Sequence, residues 1–197
     1  NLHSFPTRRS SDLPPKKKIP LGNYKSLNIF NCLKKILTSP KNAEKSWVWE
    51  QYDHTVMGDT VQKPGGDSAV IRIHGKNKGI AITVDSSSHY CSANPSEGAK
   101  QVVCETWRNL ISVGSSPIAI TNCLNFGNPE KDIIMGQFVR TIEGITQACK
   151  YLDFPVVSGN VSFYNETQNK AITPTPTIGG VGLIKNLDFM ITKNLKE

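Results

Sequence analysis

Two segments hold the residues of this chain best suited to chemistry: Thr121–Lys131, TNCLNFGNPEK, and Ser158–Glu166, SGNVSFYNE. Each follows a short apolar run and is rich in Asn, Gly and Ser. Amide and hydroxyl oxygens are neutral, hard ligands and hydrogen-bond partners. Glycine lets backbone N–H groups approach a ligand closely. Together they suit a phosphate or a metal ion. An apolar run that stops at Asn-Gly chemistry reads as a buried strand that delivers a loop at its carboxyl end. Two such loops joined by one helix are expected to build one shared site.

The elements that must carry these loops alternate between strand and helix patterns. Pro117–Thr121 and Pro155–Val157 read as short strands, and Asp132–Leu152 as the helix between them, with Ile133, Ile134, Phe138, Ile142, Ile145 and Cys149 in helical register. Pro95–Val113 reads as a second long helix, with a proline near its start and Gly114 past its end. Upstream, Trp47-Val48-Trp49 is strand-like, Pro64–Asp67 is a turn, and Ala69–His74 and Gly79–Asp85 are antiparallel strands joined at Gly75–Gly79. Thr173–Ile184, TPTPTIGGVGLI, closes the unit as a glycine-dotted strand. Its Gly179–Gly182 run is no dinucleotide fingerprint, because no helix pattern follows. This order predicts an α+β fold, an antiparallel or mixed sheet covered by helices on one face. Before it, Pro14–Gly22 reads as a linker. Asn23–Thr38 reads as an amphipathic helix whose apolar stripe is expected to pack on a neighbouring domain or core.

Composition narrows the function classes. The 197 residues are 38% hydrophobic, and no apolar stretch is long enough to span a bilayer. The net charge of +7 permits polyanion contact, but lysine is scattered. The one dense cluster, Lys16–Lys18, lies between Pro15 and Pro20 without aromatics for base stacking, which reads as a solvated linker and not a nucleic-acid surface. Five cysteines with no C-x-x-C pair support neither a disulfide framework nor a metal finger, and fit a reducing cytoplasm. His54, His74 and His89 are isolated, and His89 with Cys91 alone is too sparse for a metal site. The opening HSFPTRRSSDL reads as translated sequencing adapter, so residues 1–13 are set outside the fold. The expected division is 1–13 non-native, 14–45 linker and helix, 46–185 the α+β domain, and 186–197 a connection to a following domain.

From Ser46 to Ile184 the chain resembles the synthetase subunit of phosphoribosylformylglycinamidine synthase, in its smaller microbial form. The resemblance runs in order through SWVWEQYDHTVMGDTVQKPGGDSAV, DSSSHYCSANPSEGAK, TNCLNFGNPEK, PVVSGNVSFYNET and PTPTIGGVGLI. It implies a fold like the N-terminal domain of aminoimidazole ribonucleotide synthetase. The implied activity is an ATP- and Mg²⁺-dependent ligase of purine biosynthesis that makes formylglycinamidine ribonucleotide from formylglycinamide ribonucleotide. Its ammonia comes from a separate glutaminase subunit, with a small bridging subunit as a further partner. Phosphorylating the amide oxygen would turn a poor leaving group into a good one, by positioning and charge neutralisation.

By the same resemblance Gly159 contacts ATP, Asn160 holds Mg²⁺ and Ser162 contacts substrate. Asn122 stands where the family commonly has an ATP-contacting aspartate, which keeps an acceptor and loses a charge. Read on its own, Asn160 also suits a left-handed turn and Ser162 a plain strand hydroxyl. Asp85 and Glu105 suit metal binding, a loop cap or a helix-surface pair. The resemblance covers one domain of the later of two related halves, and the family's catalytic histidine belongs to the earlier half. No catalytic residue is therefore expected in this chain. Such domains pair through their sheets into a closed barrel, so the chain is expected to supply one wall of a site and to dimerise or aggregate alone. The alternative is a non-catalytic domain that binds nucleotide as a structural or regulatory element.

Overall fold

The structure is a computed structural model that describes residues 27–192. The adapter-like segment, the Pro14–Gly22 linker and the first residues of the Asn23–Thr38 helix lie outside the described residues, as does the end of the chain from residue 193. The elements are α1 (Ile29–Leu37), α2 (Ser46–Glu50), β1 (Thr60–Gln62), β2 (Ala69–Arg72), β3 (Gly79–Ser86), α3 (Ser88–Ala93) and α4 (Pro95–Ser112). They continue with β4 (Ser116–Asn125), α5 (Asp132–Leu152), β5 (Val156–Ser162), the two-residue strands β6 (Glu166–Thr167) and β7 (Lys170–Ala171), and β8 (Thr175–Ile184).

Among the described residues the main sheet has the order β1-β2-β3-β8-β4-β5. All neighbours in it are antiparallel except β4 and β5, which α5 joins as a parallel pair. The expected mixed α+β sheet is what forms. Alternation along the strands decides which face the helices cover. In β3, Gly79, Ala81 and Thr83 are buried while Ile80, Ile82 and Val84 are exposed. In β8, Pro176, Ile178, Gly180, Gly182 and Ile184 are buried. α4 lays Ala99, Val102, Val103, Thr106 and Leu110 against that face, and α5 adds Ile134, Ile145 and Ala148.

Both long helices start and stop for local reasons. Asn94 Oδ1 accepts from the Glu97 N–H at 3.3 Å, with Pro95 at the first helical position of α4. α5 ends where Asp153 turns left-handed and the Phe154 N–H donates back to the Cys149 carbonyl at 3.0 Å. The Phe154 ring is fully buried and pins that turn to the core.

Two expectations are corrected, and a third element forms as expected without a partner among the described residues. Trp47–Trp49 forms the single-turn helix α2 and not a strand. A three-residue alternation holds no period of its own, and Trp49 is anchored sideways: His54 meets its ring edge-on at 5.1 Å and Lys63 Nζ stands 4.9 Å from its centroid. β5 is not a buried strand. It is the sheet edge beyond the reach of α4, and Val157 is 70% exposed. Finally, α1 is helical, capped by Asn28 Oδ1 accepting from the Asn31 N–H at 3.1 Å, but none of its residues is buried. Its apolar stripe of Ile29, Phe30, Leu33 and Leu37 is not covered by any described part of the chain.

Candidate functional site

The two polar segments begin as strand and not as loop. β4 runs through Asn125 and β5 through Ser162, and they pair in register as Thr121 with Ser158, Asn122 with Gly159, Cys123 with Asn160 and Asn125 with Ser162. β4 also pairs with β8 on its other side. The main-chain groups of β4 are therefore spent in ladders. Of β4 and β5, only β5, at the sheet edge, keeps an outward row of backbone N–H and C=O groups. The expected cradle of loop amides is replaced by side chains standing on a sheet.

Alternation sends those side chains to both faces. Asn122 lies on the helix side, in line with buried Ile178 of β8. Gly159 is its cross-strand partner, and a Cβ at Gly159 would stand 2.2 Å from Asn122 Oδ1 and 3.1 Å from its carbonyl oxygen. Any other residue at 159 would push the Asn122 carboxamide aside. Thr121, Cys123, Ser158 and Asn160 stand on the open face. A shallow cavity of about 380 Å³ lies there, lined by these four with Val84, Thr177 and Gly179, and bordered by Asn122 and Gly159. Asn122, Gly159 and Asn160 thus meet at one cavity, and Asn160 is extended strand, with no left-handed turn.

Ser162 is placed differently. It does not line the cavity. Asn165 Nδ2 lies 3.1 Å from Ser162 Oγ and donates to the Ser162 carbonyl at 2.9 Å and to the Phe126 carbonyl at 3.0 Å. This knot ties the carboxyl ends of β4 and β5 together. The turn after β4 is clamped by Glu166, whose Oε1 accepts from Lys131 Nζ at 2.8 Å and from the Asn128 N–H at 3.2 Å. The hydrogen bond from Lys131, ahead of that from Asn128, holds the Glu166 carboxyl below the usual carboxylate range.

The lining of the cavity contains no carboxylate, amine or imidazole. Among the described residues there is also no cluster of three His, Cys, Asp or Glu side chains able to hold a metal. The donor set is neutral oxygen together with the free thiol of Cys123, a soft donor poorly matched to a hard cation. It fits Mg²⁺ only as a partial shell, in which Asn160 supplies one ligand and phosphate oxygens supply the charge.

Asp85 and Glu105 are outside this site. Glu105 is exposed on α4. Asp85 faces the helices: Asn109 Nδ2 donates to its Oδ1 at 2.8 Å and Thr83 Oγ1 to its Oδ2 at 3.1 Å. Burial pushes its carboxyl above the ordinary range, opposed by hydrogen bonds from Thr106, Thr83 and Asn109. A raised folded pKa means that the stability Asp85 contributes is fully present below the unfolded value and is lost as pH rises through the folded one. Asp85→Asn keeps an acceptor for Asn109 and offers Thr83 Oγ1 an N–H. The variant is expected to melt higher than the parent at pH 7, with a flatter dependence of Tm on pH from about 4 upward. A lower Tm at pH 7 would show that the charge itself is needed.

Thr121, Ser158 and Thr177 are site residues that the sequence reading missed. The signal was there: in T-N-C-L-N and S-G-N-V-S every second residue is polar or small, as a strand with one open face requires.

A mixed sheet with one helix-covered face and an open face bearing a neutral amide and hydroxyl patch defines an α+β domain of the two-layer kind. A family model described as "AIR synthase related protein, N-terminal domain" matches residues 65–184, and the chain belongs to that family. Among curated proteins it is 58% identical over 189 residues to phosphoribosylformylglycinamidine synthase subunit PurL of Pelagibacter ubique, covering 96% of this chain and 26% of that protein. The chain therefore spans about a quarter of the length of the relatives it matches. Three Thermotoga maritima structures are similar. PurLQS superposes with a TM-score of 0.72 at 35% identity, over 77% of this chain and 25% of that one. PurL complexed with ATP gives 0.66 at 36%, over 74% and 24%. PurL complexed with FGAR gives 0.67 at 36%, over 75% and 24%.

Proposed function

We propose that this domain is one wall of an ATP-dependent synthetase of purine biosynthesis, converting formylglycinamide ribonucleotide to formylglycinamidine ribonucleotide with glutamine-derived ammonia. The observation that carries the reading is the register of β4 against β5, which stands Asn160 with Thr121 and Ser158 on the open face, at a cavity that Asn122 and Gly159 border. Likeness to PurL proteins, one of them complexed with ATP and one with FGAR, supports it. In this reading Asn122 and Gly159 contact ATP, Asn160 gives its amide oxygen to Mg²⁺, and Ser162 reaches substrate from the rim. Mg²⁺, when bound, neutralises phosphate charge and polarises the transferred group.

The domain holds and orients; it does not move protons. No histidine, carboxylate or amine lines the cavity, so acid–base chemistry falls to a partner half of the same subunit. The open sheet face, with Ile80, Ile82 and Val84 exposed, is the surface such a half would cover. A separate glutaminase and a small bridging subunit complete the assembly, in the cytoplasm. The absence of histidine, carboxylate and amine from the lining, where the Cys123 thiol is the one ionisable side chain, favours a second reading, a nucleotide-holding domain that takes no part in turnover. Complementation separates the two. The gene encoding this domain, carrying Asn160→Ala and Ser162→Ala, is expected to fail to restore purine-independent growth. Growth at the parental rate would remove the catalytic-wall reading and leave the second.

A further inference from the structure

We infer that Thr121 and Ser158 form a phosphate-oxygen subsite in the cavity, an inference that rests on the nucleotide reading above. Thr121 sits on β4 between Gly179 of β8 and Ser158 of β5. A Cβ at Gly179 would stand 3.0 Å from Thr121 Cγ2, so the threonine methyl lies against bare glycine backbone. On the other side Ser158 Oγ donates to Thr121 Oγ1 at 2.8 Å. The two neighbours fix one rotamer of Thr121 from opposite sides. Because Oγ1 is already an acceptor toward Ser158, its own proton is the one left to give away, and the incoming hydrogen bond polarises it.

Both hydroxyls are exposed and both line the cavity. Asn160 stands two residues further along the same face of β5, about 7 Å away at the rise of a strand. That spacing lets a single polyphosphate reach the amide and the hydroxyl together. A nucleobase has no aromatic to stack on here, and Val84 is the only large apolar side chain in the lining. A donor beside a neutral oxygen ligand calls for an acceptor bearing charge, and a phosphoryl oxygen of a metal-bound nucleotide is that group.

The test is calorimetric titration of the full-length subunit that contains this domain with ATP, ADP and adenosine, each with Mg²⁺, for the parent and for Thr121→Val, Ser158→Ala and Thr121→Ser. Thr121→Val keeps the methyl against Gly179 and the β-branched shape, so melting temperature serves as its folding control. It is expected to weaken MgATP binding about tenfold or more, as loss of a hydrogen bond to a charged acceptor does, and to leave adenosine unchanged. Ser158→Ala is expected to give a smaller loss, and Thr121→Ser to restore parental affinity. MgATP affinity of Thr121→Val within twofold of the parent overturns the subsite and leaves the nucleotide reading standing. An equal loss for adenosine moves the contact to the nucleoside and also overturns it. A parent subunit that binds no MgATP overturns the nucleotide reading and this inference with it.

Discussion

Phe126→Ala is expected to cost about 3–5 kcal/mol of folding stability, which lowers Tm by about 6–20 °C for a chain of this size. Phe126 is fully buried where β4 ends. Its ring meets Phe138 of α5 edge-on at 5.4 Å and tilts toward Phe163 at 6.5 Å, and Phe138 and Phe163 meet each other at 5.1 Å. Three rings from β4, α5 and the segment after β5 thus share one cluster, and edge-on pairs add about 0.5–1.5 kcal/mol beyond area. The backbone of the same residue donates to the Ser162 carbonyl at 3.0 Å and accepts from Asn165 twice. Removing the ring leaves a void directly beneath the hydrogen bonds that hold β4 to β5. Nucleotide affinity should therefore fall with stability, although Phe126 does not line the cavity. Phe126→Leu, which refills most of the volume, should recover more than half of the loss in a denaturant melt. A cost below about 1 kcal/mol for the alanine variant would mean that the cluster collapses without penalty.

Residue by residue, what the sequence made legible follows from how far a pattern had to travel. α5 was readable to its ends because 21 residues keep one helical period and because Asp153-Phe154-Pro155 cannot continue it. The β2–β3 hairpin was readable because GKNKG separates two β-branched runs. β4 and β5 were cut short at Thr121 and Val157, since Asn, Gly and Ser have weak strand propensity of their own. β8 and β5 flank β4 on both sides, and those ladders override the propensity. The meeting of Asn122, Gly159 and Asn160 was legible from their motifs. The faces they turn to were not, because a face depends on strand register, and a slip of one residue exchanges the two. The Thr121–Ser158 hydroxyl pair is 37 residues apart in sequence and appears only once that register is known. The stripe of α1 was visible as a helix, while what covers it is not a property of the stripe.

Gly144→Ala sets two physical effects of opposite sign against each other, and their sizes decide the outcome. Gly144 lies inside α5, where alanine is favoured over glycine by about 1 kcal/mol. On propensity alone the substitution would stabilise. The structure reverses that sign. A Cβ at Gly144 would stand 2.2 Å from the Ser96 carbonyl oxygen and 3.0 Å from both Ser96 C and Cα. All three are main-chain atoms in the first turn of α4, so no flexible side-chain tip can swing away. Relief requires the two helices to part by about 1 Å, and they share the buried layer of Ala99, Val103, Ile145 and Ala148. Parting them loosens contacts whose attraction falls by a quarter to a half over a gap of about that size. Overpacking of a well-filled interior costs about 1–3 kcal/mol, with main-chain clashes at the upper end. Net of propensity, Gly144→Ala is expected to destabilise by about 2 kcal/mol and to lower Tm by about 4–8 °C. Gly144→Val should be worse, since it adds volume and loses propensity together. An alanine variant that melts at or above the parent would mean that α4 and α5 slide apart freely. The helix layer would then not be the rigid support that holds β4, and with it the cavity, in place.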